Sequence, residues 1–209
     1  MSICYLDGQY LPLAEARVSP LDRSFLFGDG AYEVIPVFNG VLFRVEEHLR
    51  RLERSLQELQ INTPHSRSAW KALCEDIVTR NGGGDQSVYL QVTRGAPSKR
   101  DHGFPAADVP PTIFLVSSPL GRSEIHGIDK ARGAGAITTD DTRWARCDIK
   151  SVSLLPNILA RQQAISRGAV EAILIRDGRI TEGSSTNVFI VDKGNILTPP
   201  LSNGILGGI

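Results

Sequence analysis

Cysteine, lysine and net charge are all scarce in this chain. The three cysteines, Cys4, Cys74 and Cys147, are an odd number without close spacing. That excludes a disulfide framework and a cysteine-built metal site, so no metal is expected. Lys+Arg and Asp+Glu both number 23. The chain therefore offers neither the basic footprint of a nucleic-acid binder nor an acidic tail. No apolar run reaches the ~18 residues of a membrane span. The opening MSICYLDGQYL has no basic stretch followed by an apolar one, so no secretory signal is expected and the cytoplasm is the expected location. Glycine and proline are scattered, which excludes a low-complexity segment.

What is present suits a folded enzyme-sized protein. The 209 residues are 41% hydrophobic and 22% charged, enough for one large domain or two modest ones. Asp7-Gly8, Asn39-Gly40 and Asp177-Gly178 each separate two apolar runs, which predicts three hairpins. Pro36 falls inside a strand of the second; lacking an N–H, it predicts an edge or a bulge there. Val45, Leu49, Leu52, Leu56 and Leu59 form one apolar stripe, predicting a helix over 45–60. A second helix is predicted over 68–81, capped by Ser66 or Ser68 and stopped by Asn81-Gly82, with Trp70, Leu73, Ile77 and Val78 inward. Strands SVYLQVTRG and TIFLVSS follow. Residues 1–118 thus read as an α+β domain. Residues 119–127 read as a linker, and 128–209 as a second domain. That half is expected to hold a strand near 131–139, a helix over 156–167 with Pro156 in its first turn, a hairpin, and strands TNVFIV and ILT.

The scarcity of lysine makes each one easy to weigh. Lys71, Lys99, Lys130 and Lys193 stand in polar settings. Lys150 follows Ile149 and precedes Leu154 and Leu155, with Asp148 as the nearest anion. A desolvated amine has a lowered pKa and attacks carbonyls. A second segment, RITEGSSTNVFIV (179–191), places Glu182 at the end of a hairpin strand. Gly183, Ser184, Ser185, Thr186 and Asn187 follow it. A turn needs two or three such residues, not this string. A carboxylate beside a pyridine nitrogen keeps that nitrogen protonated, which makes the ring an electron sink. Read locally, a surface lysine and a solvated Ser/Gly turn remain the alternatives.

Four segments together carry a resemblance: DRSFLFGDGAYEVI (22–35), EEHLRRL (46–52), RWARCDIKSVSLLPNILARQQA (143–164) and ITEGSSTNVFIV (180–191). In this order and spacing the chain resembles the fold-type IV pyridoxal-phosphate enzymes over nearly its whole length. That group includes D-amino acid aminotransferases, branched-chain aminotransferases and aminodeoxychorismate lyases. The resemblance implies a two-domain fold of mixed α+β and α/β character, with a small α+β N-terminal domain and a larger, barrel-like mixed C-terminal domain. It implies pyridoxal 5'-phosphate as cofactor, with Lys150 as its Schiff-base lysine and proton shuttle. Glu182 would face the pyridinium nitrogen and Arg51 the phosphate. Ser184, Ser185, Thr186 and Asn187 would line the cofactor, Leu206 would lie against its ring, and the Ile209 N–H would face the phosphate.

Within that group, QVTRGAPSKRDHGFP (91–105) points to the D-amino acid enzymes. Their loop carries an Arg-x-His pair that traps the substrate carboxylate together with a tyrosine; the corresponding residues are Arg100, His102 and Tyr32. A guanidinium clamps a carboxylate through two hydrogen bonds, and phenol and imidazole add donors. The resemblance implies ping-pong transamination between D-amino acids and 2-oxo acids. It also implies a homodimer in which this loop reaches the neighbouring subunit's site. The alternatives are a branched-chain aminotransferase, an aminodeoxychorismate lyase, or a non-catalytic relative. His48, His65 and His126 are expected to be surface or cap residues. The family continues beyond the point reached by LSNGILGGI, so the 209 residues are expected to be part of a longer chain, with the second domain incomplete.

Overall fold

The computed structural model describes residues 2–63, 65–121 and 133–209. Two compact units form: Met1–Arg122 with Lys150–Ser153 and Ile209, and Ser123–Ile149 with Leu154–Gly208. Residues 122–127 of the expected linker lie outside the described residues, as does His126. Residues 150–153, numbered within the second expected domain, belong to the first unit.

The first unit is a six-stranded antiparallel sheet under two helices. Strands β1 (Ile3–Leu6) and β2 (Gln9–Pro12) make the first hairpin, and β3 (Gly30–Phe38) and β4 (Val41–Leu42) the second. Strands β5 (Gln86–Thr93) and β6 (Ile113–Pro119) complete the order β2-β1-β6-β5-β3-β4. Asp7 and Asn39 take positive φ of 46° and 51°, the backbone that two-residue hairpin turns demand. Pro36 stands not in an edge strand but in β3, between β5 and β4, at the point where the two-residue pairing with β4 has ended. Its carbonyl accepts from Phe43 N at 2.8 Å, on the flank where β4 supplies only two residues, so its missing N–H breaks no ladder.

Helix α1 (Arg23–Phe27) was not visible as a period; five residues are too few. Asp22 caps it, accepting from Ser24 N at 2.8 Å. Helices α2 (Val45–Glu58) and α3 (Arg67–Arg80) match the expected spans to within two residues, and Ser66 caps α3. Their apolar stripes pack on the inward face of the sheet. Leu49, Leu52, Leu56, Trp70, Cys74 and Ile77 meet Ile35, Val37, Val88, Leu90 and Leu115 there. Each fully buried leucine of α2 contributes about 1.5–3 kcal/mol by leaving water.

In the second unit, β7 (Ala136–Asp140) runs parallel to β8 (Glu171–Arg176), and β8 pairs antiparallel with β9 (Arg179–Gly183). Helix α4 (Leu155–Ser166) makes the crossover from β7 to β8, with proline in its first turn as expected. Strands β10 (Ile190–Asp192) and β11 (Asn195–Leu197) form a separate hairpin. The expected strand over 186–191 is thus reduced to its last residues. Among the described residues, no helix is long and apolar enough to cross a membrane.

Candidate active site

Strand β3 alternates, sending Ala31, Glu33, Ile35 and Val37 inward and Tyr32 outward. The inward Glu33 is wholly buried, and α2 supplies its partners one turn apart. Arg51 donates from Nε to Oε1 and from Nη2 to Oε2, both at 2.7 Å. His48 Nδ1 lies 2.8 Å from Oε2. Burial alone would raise the Glu33 carboxyl, but Arg51 and His48 hold it below the usual carboxylate range. His48 is therefore no surface residue: it is 4% exposed and tied to the cluster. His65 packs edge-on against Trp70 at 4.7 Å.

Lys150 stands beside the start of β3. Tyr32 N donates to Lys150 O and Val152 N to Gly30 O, both at 3.0 Å, and Lys150 N donates to Ser55 Oγ at 3.2 Å. The segment thus extends the sheet by a short bridge between Ala31 and Ser151. Gly28, at φ 68°, makes room: a Cβ there would stand 2.5 Å from Ser153 Oγ. The half-buried Lys150 places Nζ 4.2 Å from the centre of the Tyr32 ring, which stacks on Tyr89 at 5.6 Å. Arg146 pairs with Asp148 at 3.0 Å.

Arg100 and His102 occur in the exposed loop after β5. Both approach Phe27: the Arg100 guanidinium lies 4.8 Å from its ring centre and the His102 ring 5.2 Å away. Ile209 groups with this unit and is 36% exposed.

In the second unit, Glu182 is the penultimate residue of β9, at 5% exposure. Its Oε1 accepts from Arg143 Nη1; its Oε2 accepts from Leu206 N at 3.1 Å and Asn187 Nδ2 at 3.4 Å. Arg143 also holds buried Asp141, donating from Nε at 2.9 Å and Nη2 at 2.8 Å. Thr181 Oγ1 donates to Asp141 at 2.9 Å, and Arg176 pairs with it at 3.0 Å. Burial raises the Glu182 carboxyl above its usual range, against the opposing pull of Arg143 and the Leu206 N–H, with Asp141 adding to the rise. The hydroxyl string has its own anchor. Glu171 accepts from Ser184 Oγ, from Ser184 N at 3.1 Å, from Thr186 Oγ1 at 3.0 Å and from Ser185 Oγ at 3.4 Å. These side-chain bonds shape the backbone into a loop, which is why the expected strand starts late.

A half-buried amine against a phenol ring and two buried carboxylates each held by an arginine are groups arranged for polar chemistry, not for packing. Residues 30–209 match the family Amino-transferase class IV. The chain belongs to that family. It is 42% identical over 204 residues to the D-alanine aminotransferase of Bacillus licheniformis, covering 97% of this chain and 70% of that one. It is 40% identical over 209 residues to the D-alanine aminotransferase of Staphylococcus aureus (strain N315), covering 100% and 73%. Among solved structures, the branched-chain aminotransferase of Thermoproteus uzoniensis superposes with a TM-score of 0.83 at 28% identity, covering 100% of this chain and 72% of that one. The branched-chain enzyme of Escherichia coli, at 22% identity and a TM-score of 0.87 over 100% and 70%, shares the fold.

Membership makes the chain an aminotransferase and assigns its two-domain fold type. Sequence reasoning overlooked Glu33, His48, Glu171, Asp141 and Arg143. The signal for Glu33 was available: it stands in register with Ala31, Ile35 and Val37, all inward. Asp141 and Arg143 flank a strand end without any period to mark them.

Proposed function

We propose that the chain transaminates D-amino acids against 2-oxo acids with pyridoxal phosphate. The observation that carries this reading is the identity with D-alanine aminotransferases over essentially the whole chain. Arg100 and His102 support it as a carboxylate-binding pair. The donor chemistry fits the cofactor: a lysine amine for its aldehyde, a guanidinium for its phosphate and a buried carboxylate for its ring nitrogen. When bound, pyridoxal phosphate supplies an aldehyde for the amine and a ring that withdraws electrons from the substrate Cα.

Lys150 Nζ would hold the cofactor and would take the Cα proton and return it. Arg51 would bind the phosphate, with Glu33 fixing the plane of its guanidinium. Tyr32, Arg100 and His102 would bind the substrate carboxylate. Glu182 would accept a hydrogen bond from the ring nitrogen. Arg143, Asn187 and the Leu206 N–H orient that carboxylate. Ser184, Ser185 and Thr186 would line the cofactor with a backbone shaped by Glu171. Leu206 would pack against the ring, and the Ile209 N–H would face the phosphate. Amino donor and oxo acceptor would use the same groups in turn, giving ping-pong kinetics, in a homodimer.

Branched-chain L-amino acids are the second reading, favoured by the 28% identity to the Thermoproteus uzoniensis enzyme. Loading the protein with pyridoxal phosphate and adding D-alanine or L-leucine separates the two. D-alanine is expected to bleach the near-visible band, and Lys150→Ala to lack that band. Bleaching by L-leucine alone would transfer the protein to the branched-chain group.

A further inference from the structure

The loop that carries Arg100 and His102 is exposed, yet its backbone is gripped from below by a buried cation. Arg23 is 4% exposed. Its Nη1 donates to Asp101 O at 2.6 Å and to Gly103 O at 3.1 Å, and its Nη2 to His102 O at 3.4 Å. Three consecutive carbonyls therefore converge on one guanidinium. The remaining edge is fixed as well: Nε donates to Asp29 Oδ2 at 2.7 Å. Asp29 is itself fixed by Arg94, through Nε at 2.8 Å and Nη2 at 3.0 Å. Burial would raise the Asp29 carboxyl, but Arg94 and Arg23 hold it below its usual range. The same Arg23 guanidinium lies 4.9 Å from the centre of the Phe27 ring, the ring that Arg100 and His102 also approach.

We propose that Arg23 is the positioning residue for substrate-carboxylate recognition, locking the 101–103 backbone so that Arg100 and His102 are presented from Phe27. This rests on Arg100 binding the carboxylate, as proposed above. The chemistry requires arginine. Three carbonyls and a carboxylate need donors on both edges of a planar fork, which five N–H groups supply and a lysine's three on a point charge do not. The loop's internal restraints are local: Gly103 N donates to Asp101 Oδ1 at 3.0 Å, and Lys99 pairs with Asp101 at 3.8 Å on the exposed side. That Asx turn orders two residues; Arg23 ties them to α1. Without it the three carbonyls turn to water at little cost, because the loop is already exposed. The loss therefore falls on loop order and leaves the core intact. A clamp of this kind lowers the entropy that substrate binding must otherwise overcome, which is the origin of affinity gained through preorganisation.

The test uses the cofactor-loaded protein and four variants: Arg23→Gln, Arg23→Lys, Arg100→Met, and Arg23→Lys with Arg100→Met. Arg23→Lys keeps a cation beside Asp29 and guards against a variant that fails to fold. Two readouts are taken, tryptic cleavage after Lys99 and Arg100, and KM and kcat for D-alanine. Both Arg23 variants are expected to be cleaved faster, and to raise KM about tenfold with kcat within about twofold. Arg23→Lys is expected to add little to Arg100→Met, because both act through one contact. Unchanged cleavage would overturn the clamp. Faster cleavage with unchanged KM would make Arg23 merely structural and also overturn the proposal. If Arg100→Met alone leaves KM for D-alanine unchanged, the carboxylate reading itself fails, which is a different result from an ineffective Arg23.

Discussion

Glu33 and Glu182 are both buried glutamates that meet an arginine, and they end up on opposite sides of the ordinary carboxylate range. Glu33 has Arg51 on both oxygens and His48 on one of them. Glu182 has Arg143 on one oxygen only, and that guanidinium also serves Asp141. The first carboxylate is held low and the second is raised. Burial exacts the same kind of cost from both; the number of cationic contacts, and whether they are shared, decides the outcome. Glu33 is thus a finished ion pair that anchors Arg51. Glu182 is under-compensated, and a further N–H or cation brought to it would be welcome. That is the property a carboxylate needs if it is to face a ring nitrogen.

Removing each charge in turn breaks the comparison most directly. Glu33→Gln removes a wholly buried carboxylate that Arg51 and His48 both hold, and is expected to cost about 3–5 kcal/mol in urea unfolding of the cofactor-free protein. Glu182→Gln removes a charge that folding already disfavours and is expected to change stability by less than about 1 kcal/mol in the same measurement. Equal losses would remove the distinction drawn between them.

Acid sharpens the comparison by sign. A carboxyl held low in the folded protein contributes stability at neutral pH that disappears as pH falls. For Asp141 the window runs from its ordinary 3.8 to about 2. Glu182 works the other way: folding disfavours its ionised form, and protonation relieves that cost. The unfolding midpoint should therefore fall less steeply in acid for Asp141→Asn and more steeply for Glu182→Gln. Parallel curves for these two variants and the parent would refute the assignment. The smallest effect is expected at Glu53, whose pair with Arg67 is 2.8 Å long but partly exposed to water. Glu53→Gln should shift stability by no more than about 0.5 kcal/mol, confirming that burial, not contact, sets the scale for Glu33.

Much of the scaffold was legible from local chemistry. The Asp-Gly and Asn-Gly turns, the leucine stripe of α2 and the Ser66 cap are written in neighbouring residues, and the elements follow them closely. What was not legible depends on residues far apart in sequence. Glu33 and Arg51 meet across 18 positions, Arg143 and Glu182 across 39, and Arg23 reaches carbonyls 78 to 80 positions away. No period or turn signal records such meetings. His48 misled for the same reason: a histidine between charged residues reads as solvated until the strand beneath its helix is known to bury a carboxylate. The hydroxyl string of 184–186 was noticed, but its anchor Glu171 belongs to a different strand.

The short bridge between Ala31 and Ser151 has a consequence for synthesis. Because Lys150–Ser153 belongs to the first unit, a nascent chain that has delivered residues 1–122 has not delivered the whole of that unit. The flank of β3 at Gly30–Tyr32 keeps unpaired backbone groups until residue 152 emerges, and an open strand edge invites association with other chains. The lysine segment therefore acts as a late closing stitch: the residue proposed for catalysis arrives together with the backbone that makes the earlier sheet safe to leave alone.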